Sequence, residues 1–250
     1  MKTFSSFNKY GITHRVTTRQ GGCSPEPYDS LNLGFVTGDS RQNIEQNRKI
    51  VTDQLGLESD KLLLGKQVHG NTVTVIGAQD RDQMAQTATD GLITGNPDIA
   101  IGVLVADCYP VLLASRDGKV CAAIHAGRRG IELNIVSKAI ETMHSKFQIT
   151  LREILVGIGP GICTRHYPVD RETAQEFIKA TAPSHTSSSN HGPFNLDLRG
   201  TLHSQILATG INKSAIEHMD YCPHCEPEMW FSHRYFQGKT GRFAAVIRSS

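Results

Sequence analysis

The chain has 250 residues, and its 38% hydrophobic content is enough to build a buried core without disulfide or metal cross-links. Its 26 basic and 24 acidic residues are dispersed and give a net charge of +2, which disfavours a nucleic-acid partner. The longest apolar run, residues 99–106, is too short to span a bilayer, and the amino terminus lacks a hydrophobic signal core. We therefore expect a cytoplasmic protein that does not associate with membranes.

The first half of the chain predicts a loop, a helix and a series of strands. Residues 17–34 are rich in Gly, Pro and Ser, which is typical of an ordered loop. A helix is expected from near Ser40 to Gly56, where glycine ends the apolar periodicity. Alternating apolar residues then predict strands within 71–77, 90–94, 98–106, 110–115 and 119–127.

The second half predicts helices and two further strands. Apolar residues at steps of three and four between Leu133 and Phe147 mark the clearest helix. Further helices are expected at 171–182 and 198–210, and strands at 153–159 and 243–248. Hairpins and crossovers are mixed, and no repeat or linker interrupts them. This pattern favours one domain over residues 1–250, of the α+β class with mixed β-sheets.

The turn at Asp117-Gly118 predicts which residues of the flanking strands face each other. If these two residues form the loop, paired positions sum to 235, which places Pro110 opposite His125. Cys108 then becomes the diagonal neighbour of His125 on one face of the sheet, within reach of a shared metal ion.

A metal site at this position needs a third ligand, and His69 is the candidate because it ends the segment KQVHG before another apolar strand. Two histidines and a thiolate suit zinc or copper, and three protein ligands leave one position open, as in catalytic sites. Two other interpretations stay open: a hydrogen-bonded structural histidine, and a Cys108 nucleophile with His125 as its base.

Two other segments carry candidate chemistry. Arg128 or Arg129 in AGRRG, at the start of the best helix, could hold an anion such as phosphate, although solvated arginines explain the segment equally well. The motif YCPHC is like that of thiol oxidoreductases, but its place near the end of the chain argues against this function. Cys222, Cys225, His224 and His233 could form a second zinc site, but structural cysteines are the favoured interpretation because no second ligand pair is evident.

Nine motifs, in their order and spacing from about Gly11 to Ile247, resemble the YfiH family. They are TTRQGG, DSLNLG, NRK, KQVHG, TDGLIT, ADCYPVLL, HAGRRG, GPGI and FSHR followed by GKTGR. The resemblance implies a four-layer α-β-β-α sandwich, shared in outline with the catalytic domain of cytotoxic necrotising factor (CNF) toxins. It also implies zinc, with copper as the alternative, held by His69, Cys108 and His125.

Members of this family have been described as purine nucleoside phosphorylases and as polyphenol oxidoreductases. The resemblance implies a zinc-dependent phosphorylase that also deaminates adenosine, with adenosine, inosine, guanosine and methylthioadenosine as candidate substrates and phosphate as the second reactant. Substrate and phosphate contacts would fall on Arg19, Asn32, Gln67 and Arg129. The alternatives are a copper-dependent polyphenol oxidase (laccase) and an editing factor for cell-wall (peptidoglycan) precursors.

The sequence departs from the family pattern at three positions. Arg128 stands where the family usually has tryptophan, so the anion-binding turn is more basic and loses a stacking surface. Pro168 replaces an acidic residue, and Tyr235 replaces a second arginine after Arg234. The first change predicts an altered substrate preference, whereas none of the three touches a predicted metal ligand.

Overall fold

The computed structural model describes residues 1–84, 86–181, 186–187 and 194–250. Its strands are β1 (His14–Val16), β2 (Leu62–Leu64), β3 (Val73–Val75), β4 (Gly91–Thr94), β5 (Ala100–Val105), β6 (Tyr109–Ser115), β7 (Cys121–Ala126), β8 (Ile154–Ile158), β9 (Pro168–Val169), β10 (Thr186–Ser187), β11 (Phe194–Leu196), β12 (Ile216–His218) and β13 (Phe243–Arg248). Its α-helices are α1 (Ser5–Asn8), α2 (Arg41–Asp53), α3 (Arg81–Met84), α4 (Arg128–Glu132), α5 (Ile135–Phe147), α6 (Arg171–Ala180) and α7 (Leu198–Ala208).

The strands form two large mixed sheets and one small sheet. The six-stranded sheet has the order β12-β8-β6-β7-β4-β3, with parallel pairs at both edges and antiparallel pairs between them. The four-stranded sheet has the order β1-β13-β5-β2, and only its β5–β2 pair is parallel. The small antiparallel sheet, β10-β11-β9, lies outside both.

The alternation of side chains along β13 explains how the two large sheets stack. Ala245 and Ile247 belong to the main core between the sheets, whereas Ala244 and Val246 point the other way. This second face packs against Val51 of α2, while α5 packs on the outer face of the six-stranded sheet. Both faces of each sheet are therefore covered, which gives the α-β-β-α layering expected from the resemblance.

The predicted helices form where the periodicity placed them. Helix α2 begins after Ser40, whose hydroxyl accepts a hydrogen bond from the Asn43 backbone N–H at 3.1 Å. The chain then turns at Gly56, where φ is +67°. Helix α5 buries most of its apolar stripe, but the predicted first residue, Leu133, lies outside it and is 44% exposed, because Asn134 in the left-handed conformation separates α4 from α5. None of the helices in the described part of the chain is long and apolar enough to cross a membrane.

The hairpin register is confirmed. Pro110 lies opposite His125, and Tyr109 lies opposite Ala126, so the proline does not break the pairing. Gly118 adopts φ of +74° in the turn, which glycine tolerates without strain. Cys108 is the residue immediately before β6, beside His125 near the end of β7.

Candidate metal centre and adjoining cleft

The structure brings His69, Cys108 and His125 together at the end of the six-stranded sheet where strand β6 begins and strand β7 ends. One ligand atom from each residue lies within 4.8 Å of the others, and the rings of His69 and His125 meet edge-on with centroids 4.7 Å apart. His69 is exposed, Cys108 is half-buried and His125 is buried, so the group opens to solvent on the His69 side. Two imidazoles and a thiolate at this spacing fit a zinc or copper ion with one open coordination position.

Asp90 holds two of the three side chains in place. Its buried carboxylate accepts backbone hydrogen bonds from Val68, His69 and Gly70 at 2.7–3.2 Å, and this fixes the loop that presents the His69 ring. The same carboxylate accepts a 2.8 Å hydrogen bond from Nδ1 of His125. With its proton on Nδ1, His125 offers Nε2 as the metal ligand, which is the usual arrangement of a metal-bound histidine.

Asp107 fixes the neighbouring Cys108. Its backbone is left-handed, with φ of +88°, and its carboxylate accepts hydrogen bonds from the Ser232 hydroxyl and the Arg234 backbone N–H, both at 2.6 Å. Burial raises the pKa of this carboxyl despite those hydrogen bonds. The strained turn directs the Cys108 side chain out of the strand, towards the two histidines.

Gly127 provides the space in which the three ligands meet. A Cβ atom at this position would lie 3.1 Å from Sγ of Cys108 and 3.2 Å from Cδ2 of His69. Both contacts are closer than ordinary van der Waals distance, so any larger residue would push the ligands apart.

Cys108 and His125 form a coupled acid–base pair in the metal-free protein. Burial opposes the thiolate, but the charge and hydrogen bond of His125 outweigh it and lower the pKa of Cys108 to about 6. Burial likewise opposes the imidazolium, but Cys108 and Asp90 raise the pKa of His125 to about 9. The pair is therefore a thiolate and an imidazolium near neutral pH, and a metal ion replaces the imidazolium proton when it binds.

A cleft of about 600 Å³ adjoins these ligands, and its lining is basic. Arg128, Arg171 and Arg234 contribute to its walls together with Tyr167 and Phe194. Arg128 directly follows Gly127, and burial together with the nearby Cys108 thiolate raises the pKa of Tyr167. The phenol is thus protonated at neutral pH and close to the metal ligands. A cleft with three guanidinium groups attracts an anionic ligand.

Comparison with known proteins places the chain and its fold in a family. Residues 13–250 match the sequence model of the family described as multi-copper polyphenol oxidoreductase laccase, which is the YfiH family. The chain belongs to this family. A purine nucleoside phosphorylase of Corynebacterium glutamicum in the YfiH family is 40% identical over 233 residues, or 92% of each chain. Another relative so named, YlmD of Geobacillus stearothermophilus, is 30% identical over 95% of this chain and 90% of its own.

Solved structures of YfiH-family members confirm the α+β fold with mixed sheets. The crystal structure of YlmD from Geobacillus stearothermophilus has a TM-score of 0.91 at 29% identity. That of Bacillus licheniformis YfiH has a TM-score of 0.91 at 28% identity. Each match covers 98% of this chain and 94% of the other, so the similarity extends over both large sheets and the helices that cover them.

The four residues predicted from the family to contact substrate lie in different environments. Arg19 is buried and donates to Asp29 and to the Pro227 carbonyl, and Asn32 is buried with both ends of its amide hydrogen-bonded. Gln67 forms two hydrogen bonds with the backbone of Leu104. Asn32 would have to exchange an internal partner to touch a ligand, whereas Arg19 and Gln67 each keep at least one N–H without a hydrogen bond among the described residues.

Arg129 differs from those three residues because it is exposed on helix α4. Within the described residues, no side-chain hydrogen bond or ion pair engages its guanidinium group. It is therefore free to meet an incoming anion.

Two of the three departures from the YfiH pattern lie in the same cleft. Arg128 and Pro168 both line it, and Arg128 forms an ion pair with Glu132 at 2.5 Å. Tyr235 is 47% exposed and packs edge-on against the ring of His224, next to the cleft residue Arg234. Arg128 and Pro168 thus share one cleft, whereas Tyr235 is only the sequence neighbour of a residue that lines it.

The alternative of a second zinc site named the wrong histidines, and structural cysteines were favoured because no second ligand pair was evident in the sequence. Cys222 and Cys225 do meet a second ligand pair, but the pair is Cys163 and His166 rather than His224 and His233. His224 instead stacks on the ring of His166, with centroids 4.1 Å apart. The spacing C-x-x-H in CTRH at 163–166, matched to C-x-x-C at 222–225, was a readable signal for this cluster.

Sequence reasoning also missed the two aspartates that organise the site. Asp90 stands in the motif TDGLIT, and Asp107 stands in ADCYPVLL, each where a polar residue adjoins a buried strand. A buried carboxylate requires hydrogen-bond donors, so an aspartate at such a junction indicates a converging set of N–H groups. Which groups converge was visible only in the fold.

Proposed function

We propose that the chain is a zinc-dependent purine nucleoside phosphorylase that also deaminates adenosine. The observation that carries this proposal is the convergence of His69, Cys108 and His125 beside a cleft lined by arginines. The names of the relatives support the nucleoside chemistry, since the Corynebacterium glutamicum protein is 40% identical and is a purine nucleoside phosphorylase. Adenosine, inosine, guanosine and methylthioadenosine are the proposed substrates.

Phosphorolysis requires positive charge to bind phosphate and a proton for the leaving base. An oxygen of phosphate forms a bond to C1′ of the ribose while the bond from C1′ to N9 of the purine breaks, and the base takes up a proton as it leaves. Arg128 and Arg234 line the cleft, and the exposed Arg129 directly follows Arg128; together they supply positive charge for the incoming phosphate, as guanidinium groups do at phosphate sites. The protonated phenol of Tyr167 offers a hydrogen-bond donor in the same cleft.

The hydrogen bonds of Asp90 would determine how His69 and His125 hold a metal ion. His69, Cys108 and His125 would hold the zinc ion, which would supply a Lewis acid beside the cleft. Asp90 keeps the Nδ1 proton of His125 in place and holds the loop of His69, so both rings keep a fixed direction. Deamination of adenosine consumes water and releases ammonia, and it needs such a polarising centre next to the purine ring.

The decisive experiment measures products from a metal-quantified preparation. Adenosine is incubated with and without phosphate, and adenine, ribose 1-phosphate and inosine are separated by chromatography. We expect adenine only with phosphate, inosine also without it, and loss of both products in the Cys108→Ala variant. No purine product from a protein that holds zinc at this site contradicts the proposal.

A matched pair of arginine variants tests the phosphate site. Arg234→Gln removes a cleft guanidinium and is expected to raise the KM for phosphate at least several-fold. Arg152→Gln removes an exposed arginine outside the cleft lining and is expected to leave this KM unchanged. Equal effects of the two substitutions would mean that phosphate does not bind in this cleft.

Copper-dependent phenol oxidation is the second candidate function. Two histidines and a cysteine also suit copper, and the matching family is described as multi-copper polyphenol oxidoreductase laccase. Metal analysis of the purified protein, followed by assays of the zinc-loaded and copper-loaded forms with a phenol and oxygen, separates the two functions. Phenol oxidation by the copper form without purine products would favour the oxidase.

A further inference from the structure

A second cluster of metal-ligating side chains lies away from the three ligands described above. Cys163 directly precedes the 3₁₀ turn Thr164–His166, and His166 is the last residue of this turn. Cys222 and Cys225 lie in the segment between β12 and β13. One ligand atom from each of the four residues lies within 4.8 Å of the others. The cluster therefore ties together two segments about 60 residues apart in the chain.

The sulfur–sulfur distance fits a tetrahedral zinc ion, and the two sulfur–nitrogen distances are about 0.4 Å shorter than the ideal value. Zinc bonded to sulfur at about 2.3 Å and to nitrogen at about 2.05 Å sets the ligand atoms roughly 3.8 Å apart for two sulfurs and 3.6 Å for sulfur and nitrogen. Sγ of Cys163 lies 3.9 Å from Sγ of Cys225, and each of these sulfurs lies 3.2 Å from Nδ1 of His166. The separation of the sulfurs is far above the roughly 2.05 Å of a disulfide bond.

Two hydrogen-bond donors and one stacked ring contact the side chains of the cluster. The backbone N–H of Cys163 donates to Sγ of Cys222 at 3.2 Å, and a guanidinium N–H of Arg165 donates to Sγ of Cys225 at 3.6 Å. The ring of His166 is stacked on that of His224. Three thiolates and one neutral histidine around Zn²⁺ carry a net charge of −1, which Arg165 offsets. Such outer partners are typical of genuine metal sites.

We propose that Cys163, His166, Cys222 and Cys225 bind a structural zinc ion. Four protein ligands leave no open coordination position, which distinguishes this site from the three-ligand group at His69. Three thiolates with one imidazole in tetrahedral arrangement favour zinc over the harder divalent cations. The spacings C-x-x-H and C-x-x-C place each ligand pair on a tight turn, as zinc sites require.

This zinc ion holds one wall of the candidate active site. Tyr167, which lines the cleft, directly follows His166. The segment after Cys225 carries Ser232 and Arg234, whose hydroxyl and backbone N–H fix the carboxylate of Asp107. The four ligands are thus positioning residues. Their zinc ion cross-links the two segments that orient Tyr167 and Asp107, next to Cys108.

The test counts zinc per folded chain in a background that lacks the other site. In full-length Cys108→Ser protein, dialysed against a weak chelator, we expect one zinc ion per chain by mass-spectrometric metal analysis. The double variant Cys108→Ser/Cys225→Ser should hold almost none, whereas Cys108→Ser/Cys23→Ser, which removes another exposed cysteine, should retain one. Because Cys108 is absent throughout, the result does not depend on the function proposed above.

A spectroscopic measurement covers the case in which a variant does not fold. Cobalt bound to the Cys108→Ser protein should show the intense visible and thiolate charge-transfer bands of a tetrahedral site with three sulfurs. A metal content unchanged by Cys225→Ser, or cobalt bands without thiolate character, would overturn the proposal. A native disulfide between any two of the three cysteines, found as a mass 2 Da below that of the reduced chain, would also overturn it.

Discussion

Substitution of Asp90 by asparagine tests whether this carboxylate organises the metal ligands. The two side chains have almost the same shape, so the substitution removes charge and acceptor capacity without leaving a cavity. Asp90 accepts four hydrogen bonds in the structure, two on each oxygen: from His69 and His125 on Oδ1, and from Val68 and Gly70 on Oδ2. An asparagine side chain has only one oxygen, so its amide N–H₂ must face two N–H donors.

The expected cost follows from those two unsatisfied donors. A buried donor left without its partner costs about 1–3 kcal/mol, so the loss of two gives roughly 2–6 kcal/mol in the free energy of unfolding. Loss of the carboxylate behind a metal-bound histidine lowers metal affinity by about 10–100-fold. The total stability of a domain is only about 5–15 kcal/mol, so Asp90→Asn is expected to fold with a clearly lower unfolding midpoint.

Two measurements on the same preparations check both numbers. Urea denaturation of the metal-free protein gives the change in unfolding free energy, and competition with a chromophoric chelator gives the zinc affinity. Asp98→Asn is the matched control because Asp98 is exposed, and it should change the free energy of unfolding by less than about 0.5 kcal/mol. If Asp90→Asn matches this control in both measurements, the role assigned to Asp90 is wrong.

Three further predictions concern the space at Gly127, the charge of the Cys108 thiol and the hydroxyl that caps helix α2. Gly127→Ala places a Cβ atom 3.1 Å from Sγ of Cys108 and should weaken zinc binding at this site, while circular dichroism shows an unchanged fold. In the metal-free protein, absorbance at 240 nm should report a thiolate that forms with a pKa of about 6, because His125 favours the Cys108 anion over the neutral thiol. This step should be lost in Cys108→Ser, and its persistence there would contradict the assignment. Ser40→Ala removes the hydroxyl that caps α2 and should lower the free energy of unfolding by about 1 kcal/mol, whereas an unchanged urea midpoint would show that the cap contributes nothing.

Local patterns in the sequence determined much of this fold. The turn centred on Asp117-Gly118 and the two-residue period of its strands fix the register, so the pairing of Pro110 with His125 follows from the sequence alone. The long helices α2 and α5 were predicted because their apolar residues recur on one face, and Ser40 and Gly56 also marked the ends of α2. The ordered motifs were sufficient to predict the family.

Only the tertiary structure decided how distant segments meet. Short edge strands such as Leu62–Leu64 and Ile216–His218 owe their conformation to pairing with β5 and β8, because three residues carry too little periodicity to specify a strand. The convergence of Val68, His69 and Gly70 on Asp90 has the same origin. These contacts depend on the order of strands in a mixed sheet, which hydrophobic periodicity does not encode.

The two ligand clusters show the same division between local pattern and tertiary structure. Cys108 and His125 are joined by one hairpin, so their proximity follows from local geometry. Cys163 and Cys225 are separated by 62 residues and meet because β8 and β12 pair in parallel, which brings the segments after both strands to the same edge of the sheet. The sequence by itself determined which residue types were available as ligands, and the sheet topology decided which of them share a site.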